Sequence, residues 1–175
     1  MPETVLITIY KTLILPHLNY GILLWGFNSD QLFKLQKRLV RIIKLKKYNA
    51  HTDPLFKDLK ILKIKDMFIQ NELKFLFKLE NNLLPQNISN FFNKNENTRY
   101  NIRRLAKYQI PRVKHAFADK CLRVSIPILL RDFPSIVTDK LYTHSFKGFS
   151  DYLKQYFINN YESQCSAQNC YVCNT

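Results

Sequence analysis

Glycine is almost absent from this chain: only Gly21, Gly26 and Gly148 occur among 175 residues. Tight β-hairpins rely on residues at positive φ, glycine above all, so few glycines mean few hairpins and weigh against an all-β fold. Leu, Ile, Phe and Lys abound instead, and the apolar residues recur at helical spacing. The expected fold is mainly α, a helical bundle followed by a C-terminal helical region. A chain of this length buries roughly 70% of its unfolded surface, enough for a core without disulfides or a metal.

The stretch IYKTLILPHLNYGILLWG, residues 9–26, tests that expectation first. A membrane helix needs about 20 mainly apolar residues, and here Lys11, Pro16, His17 and Asn19 interrupt. A buried, bent helix fits better. It starts near Glu3, with Pro2 at its first turn, where a missing N–H is harmless. Val5, Ile9, Thr12, Leu13, Pro16, Tyr20 and Leu23 recur along it at helical spacing. Pro16 should kink or end the first segment, because its ring clashes with the carbonyl four residues back. Gly21 allows a close neighbour and Trp25 caps the packing. A second helix begins at Ser29, a good N-cap, with Asp30 at the positive end of the helix dipole. Leu32, Leu35, Leu39, Ile42 and Ile43 are expected to form its core face.

Net charge is +14, and its placement matters more than its size. Between Gln31 and Thr52 there are seven Lys or Arg and no acid; between Asn97 and Ala118 there are six more, again with no acid. Outside these two islands basic and acidic residues nearly cancel. Two acid-free islands point to a polyanion, most often nucleic acid; two solvated helix faces would give the same count. Lys34, Lys37, Arg38, Arg41 and Lys44 recur at three- and four-residue spacing on one helix, the pattern for contacts to a phosphate backbone. Such contacts carry affinity and register rather than sequence information. In the second island Arg99, Arg103, Arg104 and Lys107 alternate with Tyr100, Tyr108 and Phe117. Those aromatics either stack on unpaired bases or belong to the core.

Further along, Thr52 or Asp53 with Pro54 starts a short helix through Leu59. A longer helix from Ile64 to Asn81 is apolar around much of its girth and reads as a central core helix. A groove exposing Phe75 and Phe77 is the alternative. Seven Asn between Asn81 and Asn97 mark a loop or linker. Pro111, Pro127 and Pro134 segment the chain beyond the second island, and a final amphipathic helix runs from about Ser145 to Tyr161. The tail spells Cys165-x4-Cys170-x2-Cys173, half of a zinc site, for which Cys121 or His144 would have to supply a fourth ligand. Free thiols are the other reading, and no other cofactor is expected. No nucleophile–base pair stands out. His17 and His51 are expected to hydrogen-bond within the fold. The N-terminus lacks the basic region and cleavage site of a signal peptide, so an intracellular location, nucleus or cytoplasm, is expected.

In order, YKTLILPHLNYGILLWG, LFKLQKRLVRII and AHTDPLF resemble the segment after the catalytic palm of LINE-type (non-LTR, jockey-like) retrotransposon reverse transcriptases. The shared pattern includes Tyr10, Pro16, His17, Tyr20, Gly21 and Trp25, then Gln36, Lys37, Arg38 and Arg41, then His51 and Pro54. Weaker similarity continues through LKILKIKDMFIQNELKFLFK and the tract from Tyr100 to Pro134. There Ile126-Pro127, Leu130-Arg131 and Phe133-Pro134 replace the commoner Gly-Pro, Trp-Asn and Leu-Pro pairs.

The resemblance implies a thumb-like helical segment over residues 1–50 and a C-terminal helical region over 51–164, with a sub-boundary at 81–97 and the cysteine tail at 165–175. It implies a hold on the template–primer duplex, an RNA–DNA hybrid or RNA, through the basic residues named above. It further implies a partner palm in the same polyprotein, and that Met1 is not the start of the parent protein. Phosphoryl transfer needs closely placed carboxylates to hold two metal ions about 4 Å apart. The chain contains no Asp-Asp pair, so no polymerase activity is expected of it alone. The competing expectation is a non-catalytic structural or protein-interaction piece.

Overall fold

A computed structural model describes residues 1–95, 107–115 and 118–162. The protein is mainly α, and no strand occurs among the described residues beyond one isolated antiparallel bridge between Lys94 and Tyr108. The helices are α1 (Glu3–Ile9), α2 (Leu15–Asn19), α3 (Ile22–Trp25), α4 (Asp30–Ile43), α5 (Asp53–Asp58), α6 (Ile64–Glu80), α7 (Gln86–Ser89), α8 (Leu122–Asp132), α9 (Ser135–Thr138), α10 (Lys140–Thr143) and α11 (Phe146–Asn159). Among the described residues no helix is long and apolar enough to cross a membrane. The described residues form two compact units: one holds residues 1–69 and 154–162, the other the described residues between 70 and 153.

In the first unit the N-terminal helix does bend, though not as the sequence suggests. Pro16 has no N–H to give to Thr12, and the ladder loosens before it into a π-helical turn over Tyr10–Ile14, with the Leu15 N–H bonded to the Tyr10 carbonyl. The helix therefore passes Pro16 and stops at Asn19. The turn itself lies at Tyr20 and Gly21, where Gly21 takes φ +60°, a conformation glycine adopts without a Cβ clash. Its role is thus conformational rather than to admit a close neighbour. Trp25 closes the turn, its Nε1–H donating to the Tyr20 carbonyl at 2.8 Å. The helix is not buried all round: Tyr10 and Ile22 are in the core, but Val5, Leu13 and Tyr20 are exposed.

Helix α4 spans the expected residues with a different face inward. Gln36, Val40 and Ile43 are buried, whereas Leu35 and Ile42 are 50% and 58% exposed. Ser29 occupies the N-cap position, yet its side chain makes no capping bond and the residue is buried. The stripe turns because Gln36 is saturated in the core. Its Nε2 donates to the Tyr10 hydroxyl at 2.9 Å and the Leu62 carbonyl at 2.8 Å, while its Oε1 accepts from the Ile64 N–H at 2.9 Å. A buried polar side chain is tolerated when its groups are paired. Phe56, Leu59, Ile61, Ile64 and Met67 complete this core with Phe157, Ile158 and Tyr161 of the returning chain. Tyr161 ties that return down: its hydroxyl accepts from the Lys63 N–H at 3.0 Å and donates to Asp66, and its carbonyl accepts from Lys57 Nζ at 2.9 Å.

The scarcity of glycine shows at helix ends. Helices α4, α5 and α6 all close in a left-handed residue, Leu45, Lys60 and Asn82, with φ of 50°, 52° and 54°. Each is accompanied by the same pair of bonds. For α4 these are Lys46 N–H to Arg41 O at 2.9 Å and Leu45 N–H to Ile42 O at 3.1 Å; Ile61 to Phe56 with Lys60 to Lys57, and Leu83 to Lys78 with Asn82 to Leu79, repeat the arrangement. This is the Schellman termination, which normally places glycine at that residue.

In the second unit, Leu73, Leu76, Phe77 and Leu79 of α6 are buried, so α6 is a core helix and no groove exposes Phe77. Phe77 packs on Phe146 and Phe149, and Phe75 on Phe92. Pro127 does not end a segment; it lies inside α8 and is buried. The Glu80 carboxylate, with 3% of its side chain exposed, is held by Lys107, by the Tyr108 hydroxyl at 2.8 Å and by the Tyr142 hydroxyl at 3.0 Å. Burial, then this carboxylate, pushes the Tyr108 hydroxyl pKa well above its ordinary value.

Candidate nucleic-acid interface

The first basic island is carried by α4 and the loop after it. Three- and four-residue steps place Lys34, Arg38 and Arg41 along one side of α4, with Lys37 beside them. Lys34 and Arg38 are exposed; Lys37 and Arg41 are half-buried. From Lys34 to Arg41 the helix rises about 10 Å. That length of duplex carries about six phosphate charges, so the row matches a polyanion in charge density as well as sign. Among the described residues no ion pair involves Lys34, Lys37, Arg38 or Arg41.

Lys44 is placed differently from the other four. Its ammonium pairs with Glu3 at 2.7 Å and with Asp58, fastening α1 and α5 to the end of α4. Those two carboxylates, Asp58 first, hold its pKa above the ordinary value. Lys107 of the second island is likewise engaged, with Glu80 and the Tyr142 hydroxyl at 2.9 Å. Tyr108, next to it, is 2% exposed and therefore a core aromatic rather than a stacking surface. Arg99, Arg103, Arg104, Tyr100 and Phe117 lie outside the described residues, as do Cys165, Cys170 and Cys173. Among the described residues no group of His, Cys, Asp and Glu side chains is arranged to hold a metal ion.

The side of α4 that bears Lys37 and Arg41 borders an open depression of about 410 Å³. The loop over 49–52 forms its other wall, with Asn49, His51 and Thr52 lining it. The loop is held there by Arg41, whose Nε–H donates to the Ala50 carbonyl at 2.8 Å. Thr52 then serves as the N-cap position of α5, and Pro54 occupies the first turn, where no N–H is needed. Two acids also line the depression, Asp53 and Glu162; Asp53 is neutralised by Lys63 at 2.6 Å. Next to the depression stands Tyr48, 74% exposed, with the guanidinium carbons of both Arg38 and Arg41 5.9 Å from its ring centroid. Lys37 caps the Phe33 ring at 4.4 Å.

Of the family-pattern residues, Tyr10 and Gln36 are the buried node of the first unit, Trp25 and Gly21 build the turn, and His51 and Pro54 border the depression. Pro16, His17 and Tyr20 are exposed. Sequence reasoning missed Tyr48. Its signal was present, since Lys46-Lys47-Tyr48 places an aromatic inside an acid-free run. No protein-family model matches this chain, and no curated protein and no solved structure matches it either.

Proposed function

We propose that this chain is a nucleic-acid-binding module that grips the phosphate backbone of a template–primer duplex, as the thumb and C-terminal region of a LINE-type reverse transcriptase would, without polymerising by itself. The observation that carries the reading is the row Lys34, Lys37, Arg38 and Arg41. Four cations share one region of a helix, and no ion pair among the described residues neutralises them. Surface cations that no ion pair ties down favour a phosphate partner, and among the described residues only Arg41 of the four also fastens a loop, through Ala50.

The test is binding of the full chain to an RNA–DNA hybrid hairpin over a range of salt concentrations, with single-stranded RNA and duplex DNA as controls. Changing Lys34, Lys37 and Arg38 together to Ala leaves the Arg41–Ala50 bond intact. It should reduce the slope of log affinity against log salt by about 2–3. Lys44→Ala should leave that slope unchanged, because Lys44 is occupied by Glu3 and Asp58. An unchanged slope in the triple variant removes α4 from the contact.

A structural or protein-interaction role has its own support in the exposed Leu13, Tyr20, Leu24, Leu35 and Ile42. That reading predicts weak, equal binding to all three nucleic acids.

A further inference from the structure

We infer that the site takes an unpaired nucleotide beside the duplex: its base stacks on Tyr48 and its phosphate enters the depression at Lys37 and Arg41. The inference rests on the nucleic-acid reading above and deepens it. A site that touched only duplex backbone would need cations on a convex helix and nothing else. Here three further features adjoin the cations. Tyr48 is 74% exposed, so its ring is open to a stacking partner. Both Arg38 and Arg41 stand 5.9 Å from the ring centroid, a cation–aromatic pairing that leaves most of the ring open and places positive charge beside whatever stacks there. The depression of about 410 Å³ is large enough for a nucleotide-sized group, within the usual range for small-ligand sites.

Arg41 joins the two halves of the site. It lines the depression, stands beside Tyr48, and is fixed by its bond to the Ala50 carbonyl. A planar guanidinium in that position suits a phosphate on one side and an aromatic on the other. Asn49, His51 and Thr52 also line the depression, as do two acids, Asp53, which Lys63 neutralises, and Glu162. Aromatic stacking beside a cationic track distinguishes single-stranded from duplex binding, because a base inside a duplex is already stacked on both faces. Stacking tolerates any base, so the site should discriminate paired from unpaired rather than one sequence from another.

The experiment compares a blunt RNA–DNA hybrid with the same hybrid carrying a single-stranded overhang, using the full chain as wild type, Tyr48→Ala and Tyr48→Phe. The overhang contains 2-aminopurine, whose fluorescence falls when it stacks. Wild type should bind the overhang substrate more tightly than the blunt one and quench the probe. Tyr48→Ala should lose about 5- to 150-fold in affinity for the overhang substrate, lose the quenching, and keep its affinity for the blunt hybrid. Tyr48→Phe should behave as wild type, since it keeps the ring. If Tyr48→Ala still quenches, or falls equally on both substrates, the unpaired-nucleotide site is wrong while the backbone grip stands. If wild type binds neither substrate, both readings fall together.

Discussion

Replacing Gln36 by Leu tests whether the buried node at α4 organises the first unit. Leucine is close in volume and apolar, so the change leaves little cavity and removes only the hydrogen bonds. Three buried groups lose their partner: the Tyr10 hydroxyl, the Leu62 carbonyl and the Ile64 N–H, bonded at 2.9, 2.8 and 2.9 Å. All three residues are less than 9% exposed, so water does not replace Gln36 without a rearrangement. A buried group left unsatisfied costs about 1–3 kcal/mol, so three of them imply a loss of about 3 kcal/mol or more. Against the usual stability of roughly 5–15 kcal/mol that loss is severe. Tyr10→Phe removes one bond of the node and should cost about 1–2 kcal/mol. Urea unfolding followed by circular dichroism measures both, with the slope checked for two-state behaviour. A Gln36→Leu variant within about 1 kcal/mol of wild type, at unchanged slope, would refute the claim that these bonds hold the face of α4 inward.

Two other substitutions probe separate parts of the fold. Lys60→Gly relieves a left-handed residue at the end of α5 and should raise stability by about 0.5–1 kcal/mol, the gain being trimmed by the freer unfolded chain; a urea midpoint at or below wild type would count against it. Glu72 is buried and its carboxyl sits above the ordinary 4.5, mainly through desolvation and despite the bond it accepts from Ser125 at 2.6 Å. The folded state then holds that proton more tightly than the unfolded state, so ionisation takes stability away as pH rises from 4.5 through the folded value. Glu72→Gln keeps the acceptor and removes the charge; its unfolding midpoint should exceed wild type at neutral pH and converge with it below pH 4.5.

The elements themselves were legible. The span of α4, the Pro54 start of α5, and the span and core character of α6 follow from local signals, although neither Ser29 nor Thr52 makes a side-chain capping bond. The facing of α4 did not follow, since an apolar count assigns Leu35 and Ile42 to the core face and passes over Gln36. One residue is about 100° around a helix, so a single saturated Gln turned the stripe. Its partners lie 26 and 28 positions away, beyond the reach of periodicity. Pro16 was legible as an interruption, but that the helix continues through it, loosened into a π-helical turn, was not. The same holds for Pro127 inside α8. Of the candidate site, the cationic row was readable from spacing, whereas the depression was not, because it forms between α4 and a loop fixed by Arg41.

Net charge by itself does not locate a binding surface on this chain. Of the cations in the two islands, Lys44 and Lys107 are spent within the fold, on Glu3, Asp58 and Glu80. Outside them, Lys63, Lys65 and Arg131 pair with Asp53, Asp30 and Asp132. Acids are fewer than cations by 14, and the ion pairs place many of them beside lysines that fasten one segment to another. Such pairs are individually weak where exposed, but they decide where positive charge stays uncompensated. On α4 it stays at Lys34, Lys37, Arg38 and Arg41, next to the one exposed tyrosine of the acid-free run. The surplus is therefore directional, and its direction is the physical reason to look for a phosphate partner on α4 before anywhere else among the described residues.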